Sequence, residues 1–282
     1  MTPRSATIAS MGRVVLVTGA SSGIGAACAR RLARRGFDVF GGVRREEDAE
    51  RLRTDGIRPL TLDVTIPEQV AAAAEAVGEE LHGLVNNAGV ALAAPLELVP
   101  LDEVRRQLDV NVVGQIAVTQ ALLPALRGAR GRVVLMGSIG GKSALPFLGP
   151  YAASKFALEA IADSLRLELR PFGIAVSIVE PGSIKTPIWT KGTARAEELR
   201  ARFPAGAEDL YGAAIERFRK VALARGLAGV DPDEVAKAVE HALTADRPRA
   251  RYLVGKDARL RRRLERLPVR LRDRLLERAL TR

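Results

Sequence analysis

Tyr151 and Lys155 stand four residues apart at the start of an apolar run that reads as a long helix, one short loop downstream of Ser138. On a helix that spacing brings the phenol and the ammonium out on one face. A lysine charge beside a tyrosine favours the phenolate and lowers a phenol pKa that is ordinarily about 10. The pair is therefore expected to work as an acid/base near neutral pH. The spacing alone is common in helices that do no chemistry. Its company sets it apart: Ser138 follows the apolar run Arg132-Val133-Val134-Leu135-Met136, Asn111 lies in Asn111-Val112-Val113-Gly114, and a glycine-rich turn sits near the N-terminus.

These residues need elements to bring them together. Arg13-Val14-Val15-Leu16-Val17 reads as a strand that opens into Thr18-Gly19-Ala20-Ser21-Ser22-Gly23-Ile24-Gly25, and a helical pattern follows through Arg35. Glycines there let backbone approach a ligand closely, and the first helical turn offers unpaired N–H groups to a pyrophosphate. A second strand, Asp38 to Val43, ends at Arg44-Arg45. An acid at this point usually binds an NAD ribose, whereas arginine suits the 2′-phosphate of NADP, so NADP(H) is favoured and NAD(H) is kept as the alternative. The plainer reading is that both arginines start a solvated helix carrying Glu46, Glu47 and Asp48. A third strand, Pro59 to Leu62, ends at Asp63-Val64, placing a carboxylate for the adenine edge. A helix over Pro67 to Val77 follows, with proline in its first turn.

Leu84-Val85 is the next strand, closed by Asn86-Asn87-Ala88-Gly89. Leu101 to Leu126 is long and helical, interrupted by Asn111 and Gly114, which a helix interior disfavours and which suggest a kink. Beyond Ser138 the helix from Tyr151 ends near Phe172-Gly173. The strand Ile174 to Val179 then leads into a loop, Glu180 to Pro187. Strands alternating with helices imply a parallel sheet built by right-handed crossovers, with ligands at the strands' carboxyl ends. The expected fold class is α/β, one doubly wound Rossmann-type domain of about seven parallel strands over residues 13–255, Arg251 to Val254 being an edge strand. Residues 1–12 form an N-terminal extension. A charged helical insertion at 189–228 reads as a lid, or else as a surface helix pair. Residues 256–282 form a basic amphipathic helical tail that Pro268 breaks in two.

At 282 residues the chain can bury a large core. Its formal charge is +11, but the tail alone, with eleven basic and four acidic residues, holds +7. The rest, at +4, carries no nucleic-acid motif and few aromatics for stacking bases, so no nucleic-acid partner is expected. The single cysteine, Cys28, falls on an apolar helix side and reads as core. No stretch reads as a signal peptide or membrane span, and the expectation is a cytoplasmic protein. The tail stripe of Leu260, Leu264, Leu267, Leu271, Leu275 and Ala279 fits packing on the protein itself or a sister subunit better than peripheral membrane contact. No metal site is expected.

With these motifs the chain resembles the short-chain dehydrogenase/reductase family from Arg13 to about Val254. Thr18-Gly19-x-x-x-Gly23-x-Gly25 is similar to its cofactor turn, Asn86-Asn87-Ala88-Gly89 to its sheet-stabilising turn, and Asn111, Ser138, Tyr151 and Lys155 to its catalytic tetrad. The resemblance implies that Tyr151 exchanges a proton with a substrate oxygen that Ser138 holds. Lys155 would bind the nicotinamide ribose and depress the phenol's pKa, and Asn111 would anchor a proton-relaying water. It implies cofactor contacts from Thr18, Gly19, Ser21, Ser22, Gly23, Ile24, Gly25, Arg44, Asp63, Val64, Asn87, Ala88, Gly89, Pro181, Gly182, Ile184 and Thr186, besides Tyr151 and Lys155. Ser22 stands where many NADP-using members have a second basic residue, so Arg44 carries the phosphate recognition. His82, where members often have an acid, and His241 read as structural. Ile139, Leu145, Phe147 and Trp189, with Ser138 and Tyr151, are expected to line an apolar pocket for a hydrophobic secondary alcohol or its ketone, steroid- or retinoid-like. A homodimer or homotetramer is the family expectation. The competing functions are a silent nucleotide sensor or scaffold, and an adaptor working through the basic tail.

Overall fold

The structure is a computed structural model that describes residues 12–281, with side chains to 276, so most of the expected extension at 1–12 lies outside the described residues. Seven parallel strands make one sheet in the order β3-β2-β1-β4-β5-β6-β7. They are β1 (Val14–Val17), β2 (Asp38–Val43), β3 (Arg58–Thr61), β4 (Gly83–Asn86), β5 (Arg132–Met136), β6 (Ala175–Pro181) and β7 (Arg251–Val254). Strand order reverses between β1 and β4, and a crevice at the strands' carboxyl ends follows from that reversal.

The helices cover both faces, as an all-parallel sheet requires. Val15, Val17, Val39, Val85, Val134 and Val179 point to one side, where α1 (Gly23–Arg34) and α9 (Pro232–Thr244) supply Cys28, Leu32, Val235 and Val239. Their strand neighbours Leu16, Leu84, Val133, Leu135 and Ile178 point to the other. There α3 (Pro67–Val77), α5 (Gly114–Ala129) and α6 (Gly149–Glu168) supply Val70, Leu122, Leu126 and Leu158. Period-two alternation in valine-rich strands thus feeds two separate cores. Cys28 is fully buried, and its thiol is pushed up to about 12, first by burial.

Two irregularities matter for the site. The segment expected as one long helix is α4 (Leu101–Leu108), then a π-helical turn, Asp109–Val113, then α5. Gly114, the first residue of α5, packs against Val64, where a Cβ would lie 2.6 Å from Cγ2. The insertion forms α7 (Ile188–Arg200) and α8 (Ala207–Leu227), and the tail forms α10 (Lys256–Leu264) and α11 (Val269–Thr281), broken just before and at Pro268. α2 (Glu46–Thr54) completes the set. Both histidines serve structure: His82 Nδ1 accepts from Val14 N at 3.2 Å, and His241 Nδ1 lies 2.8 Å from the Tyr252 hydroxyl. No helix among the described residues is long and apolar enough to cross a membrane.

Near the end of β6, Glu180 is buried beside Glu159 of α6. Lys142 Nζ lies 2.7 Å and Arg251 Nε 3.2 Å from Glu159 Oε2, and Arg251 Nε is 3.5 Å from Glu180 Oε1. Burial, with the Glu159 charge behind it, pushes Glu180 up from 4.5 to about 7. Over that range the folded chain keeps a proton that the unfolded chain has lost, so this group's contribution to stability falls as pH rises. Wild type is therefore expected to lose thermal stability from about pH 5 to about pH 8 through this group, and Glu180→Gln to flatten the slope and melt higher than wild type at the alkaline end. Melting curves across that range check it; an unchanged slope would contradict it.

Candidate active site

Gly149 and Pro150 open α6, proline being tolerated where no helical N–H bond is yet required. Tyr151 in that first turn and Lys155 one turn further reach the carboxyl end of the sheet. Lys155 is only 5% exposed, and its Nζ donates to the Met136 carbonyl at the end of β5 at 2.7 Å. The same Nζ is 5.8 Å from the Tyr151 ring centroid. Burial pulls Lys155 down from 10.5 to about 8.

The phenol does not follow the sequence expectation. Tyr151 is raised above its ordinary value: desolvation in the pocket wall wins, while Ser138 and the charge of Arg261 pull it back part of the way. The expected depression weighed a neighbouring charge without the cost of burying a phenolate. The charge that acts on Tyr151 comes from Arg261 of the tail, which no motif or spacing in the chain places here.

Ser138 caps a short 3₁₀ turn, Ile139–Gly141, and its Oγ accepts from Gly140 N at 3.0 Å. Its own O–H is left to donate toward the cavity it lines. Asn111, fully buried, sits in the π-helical turn behind that wall and not on it. Its Oδ1 accepts from Val90 N at 2.8 Å, and its Nδ2 donates to Val90 O and Ser154 Oγ, each at 3.0 Å. Ser154 Oγ in turn donates to Tyr151 O at 2.7 Å. The Asn111 side chain therefore ties the loop after β4 to the first turns of α6.

The glycine turn lies where the strand order reverses. Thr18 is buried beneath it, and its Oγ1 accepts from Asn87 N and Ala88 N, both at 2.9 Å. Thr18 thus braces the turn without lining the cavity. Gly19 has φ +64, and a Cβ there would sit 2.9 Å from Ala88 Cα. Ser21, Ser22, Gly23, Ile24 and Gly25 line a cavity of about 450 Å³. Ser22 precedes α1 without a side-chain cap bond, and the first turn carries no acid. Its N–H groups and dipole thus face the cavity uncompensated, which suits a pyrophosphate.

The same cavity runs past Gly19, Arg44, Asp63, Val64, Asn87, Ala88 and Gly89, then past Lys155, Pro181, Gly182, Ile184 and Thr186. The two arginines divide the sequence alternatives between them. Arg45 precedes α2 and binds Asp48 at 3.0 Å, as a helix-starting arginine would. Arg44 faces the cavity, two-thirds exposed, 3.6 Å from Asp63. Asp63 is held below the usual carboxylate range: burial opposes this, but hydrogen bonds from Thr65 and the Arg44 charge outweigh it.

At the other end Ser138, Ile139, Leu145, Tyr151 and Trp189 line the cavity as expected. Trp189 Nε1 donates to Ile184 O at 2.9 Å, and the indole packs on Gly226, where a Cβ would come within 2.7 Å. Phe147 is the exception. Its φ of +65 accompanies a ring set edge-on to Phe218 at 5.5 Å, lining a separate small pocket. A proline-flanked aromatic in a loop gave no sign of that turn. Phe218, Val221, Ala222 and Arg225 of α8 and Arg261 of α10 also line the main cavity. Sequence reasoning named the insertion as a lid but none of these five as pocket residues, since neither helix carries a motif at those positions.

The chain matches the short chain dehydrogenase family over residues 13–197. It is 40% identical over 260 residues to retinol dehydrogenase 5 of Mus musculus, covering 87% of this chain and 81% of the relative. A short chain dehydrogenase from Burkholderia cenocepacia J2315, solved in complex with NADP, superposes with a TM-score of 0.74 at 28% identity, covering 94% of this chain and 98% of that one. A 3-ketoacyl-(acyl-carrier-protein) reductase from Brucella melitensis, complexed with NADH, gives 0.69 at 27% identity, covering 86% and 97%. The family match and the shared fold show that the chain belongs to the short-chain dehydrogenase/reductase family and is an oxidoreductase of that kind.

Asn111→Ala would leave the Val90 backbone and Ser154 without their buried partner. The expected cost is roughly 2–4 kcal/mol of unfolding free energy. Urea denaturation measures it, and a loss under about 0.5 kcal/mol would contradict the bracing role.

Proposed function

We propose that the protein is an NADP(H)-dependent oxidoreductase that interconverts a hydrophobic alcohol and its carbonyl compound, with Tyr151 as proton donor and acceptor. The observation that carries this reading is a single cavity in whose wall a glycine turn, Arg44, a serine hydroxyl and a tyrosine supported by a buried lysine are all present. The uncapped first turn of α1 would hold the pyrophosphate, Arg44 the 2′-phosphate, and Lys155 with the Pro181–Thr186 loop the nicotinamide end. When bound, the nicotinamide supplies or accepts the hydride.

In reduction, the Tyr151 hydroxyl hands its proton to the carbonyl oxygen as negative charge grows there, and Ser138 donates a hydrogen bond to the same oxygen and fixes its place. In oxidation the phenolate takes the proton from the alcohol. A raised phenol pKa keeps Tyr151 protonated at neutral pH, the form that reduction consumes. Asn111 acts by position, through Ser154 and the Tyr151 backbone.

Support for the substrate class comes from Ile139, Leu145, Trp189 and Phe218 in the cavity wall and from the retinol dehydrogenase among the relatives. Support for NADP comes from Arg44, since a guanidinium without a strong partner is suited to a phosphate. The NADH-bound neighbour keeps NAD as the competing cofactor.

Nicotinamide absorbance with a panel of hydrophobic alcohols and ketones tests the reading. Tyr151→Phe is expected to lose about 100-fold or more in kcat while still binding NADPH by fluorescence. Cofactor binding without turnover by the wild type on any substrate of the panel would favour a sensor. Arg44→Ala is expected to raise the KM for NADP about tenfold and leave that for NAD nearly unchanged; equal effects on both would overturn the role given to Arg44.

A further inference from the structure

Asp257 and Arg261 are four residues apart on α10 and so share one face of its helix. Asp257 Oδ2 accepts from Ser183 N at 2.7 Å, and a Cβ on Gly182 would fall 2.1 Å from Asp257 Oδ1. The first turn of the tail is thereby seated on the Pro181–Gly182–Ser183 loop, with Ala258 fully buried beneath it. One turn on, Arg261 enters the cavity wall. Its Nη2 donates to the Ser143 carbonyl, just beyond the turn that Ser138 caps, while its buried Nε–H meets no acceptor among the described residues.

Arg225 of α8 lines the same cavity, half-buried and without a carboxylate partner among the described residues. The nearby acids are engaged elsewhere through one oxygen each, Asp257 Oδ2 by Ser183 N and Glu265 Oε2 by Arg272 at 2.9 Å, and their charges offset that of Arg261 only in part. Two guanidiniums therefore line the cavity that Leu145, Trp189 and Phe218 also line, and they repel each other there. An apolar alcohol would leave both unanswered and would have to share its pocket with two partly desolvated cations. A carboxylate would answer them with charge-assisted hydrogen bonds in the planar geometry that arginine offers.

We infer that Arg261 and Arg225 form an anion subsite, and that the substrate is amphipathic: an apolar hydroxy or oxo compound that also carries a carboxylate. This rests on the oxidoreductase reading and sharpens its substrate class. The apolar wall takes the hydrocarbon, Tyr151 and Ser138 take the reacting oxygen, and the two arginines, each from a helix outside the sheet's crossovers, take the acid group. α10 becomes part of the substrate site, and Arg261 a specificity-determining residue.

A long-chain oxo carboxylic acid and its methyl ester, which differ in charge and little in shape, test it in NADPH-dependent reduction. Wild type is expected to favour the acid by about tenfold or more in kcat/KM, mostly through KM. Arg261→Ala and Arg225→Ala should each bring the ratio toward one, and Arg261→Lys should keep part of it. A wild-type ratio near one, or a ratio that survives loss of both arginines, overturns the subsite while the oxidoreductase reading stands. If Arg261→Ala does not fold, Arg225→Ala, on a separate helix, reads the same ratio. If neither compound is reduced, the oxidoreductase reading is what suffers, and calorimetric titration of both into NADP⁺-loaded protein decides the subsite. Tighter binding of the acid, lost in Arg225→Ala, supports it; equal binding, or none, overturns it.

Discussion

The hydrogen bond from Lys155 Nζ to the Met136 carbonyl, 2.7 Å long and buried, is the constraint on which the site depends. It joins α6, the helix that carries the phenol, to the last residue of β5, the strand that delivers Ser138. It sets the register of α6 against the strand end, while Leu158 and Ala162 pack the helix on the sheet and Glu159 ties it to Lys142 and Arg251. An ammonium in so dry a place is costly, and its lowered affinity for a proton shows the cost. A second tie, Asn111 to Ser154, fixes the same turn of helix from the other side, so the phenol is located from two directions.

Electrostatics around Tyr151 is a contest between dehydration and charge. Dehydration prevails, so the phenol stays neutral over a wider pH range than it would in water. The charge that opposes it, that of Arg261, sits on a helix outside the sheet's crossover pattern. Arg261 reaches the site only because Asp257 fastens its helix to the loop after β6, and because Gly182 leaves room for that carboxylate. The tail and the α7–α8 insertion thereby bear on one end of the cavity, while the glycine turn and Arg44 define the other.

Much of this was legible in the chain. Strands were readable because buried parallel strands are runs of Val and Leu, and β2, α3 and β7 fall where those runs and their proline or glycine boundaries put them. Ser138, Tyr151 and Lys155 could be read as a group from their types and spacing, and all three line one cavity, with Asn111 behind its wall. The break at Asn111 was readable as a kink, since neither Asn nor Gly suits a helix interior, and it takes the form of a π-helical turn. The direction of the Tyr151 shift was not legible, because desolvation depends on what packs around the ring and not on what precedes it in sequence. Phe147 was placed in the wrong pocket because its loop takes a left-handed residue that no glycine announces. Arg261 was missed for a related reason: in a stretch with arginine at 259, 261, 262 and 263, only the packing of α10 singles out one of them.

The most direct test is a crystal structure of the protein with NADP⁺ and a hydrophobic ketone, a pair that cannot react. The ketone oxygen is expected within about 3 Å of both Tyr151 Oη and Ser138 Oγ, with the pyrophosphate at the first turn of α1 and the 2′-phosphate on Arg44. A ketone whose oxygen lies away from both hydroxyls, in a protein whose cofactor is nonetheless seated on the glycine turn, would contradict the assignment of Tyr151 as the proton donor.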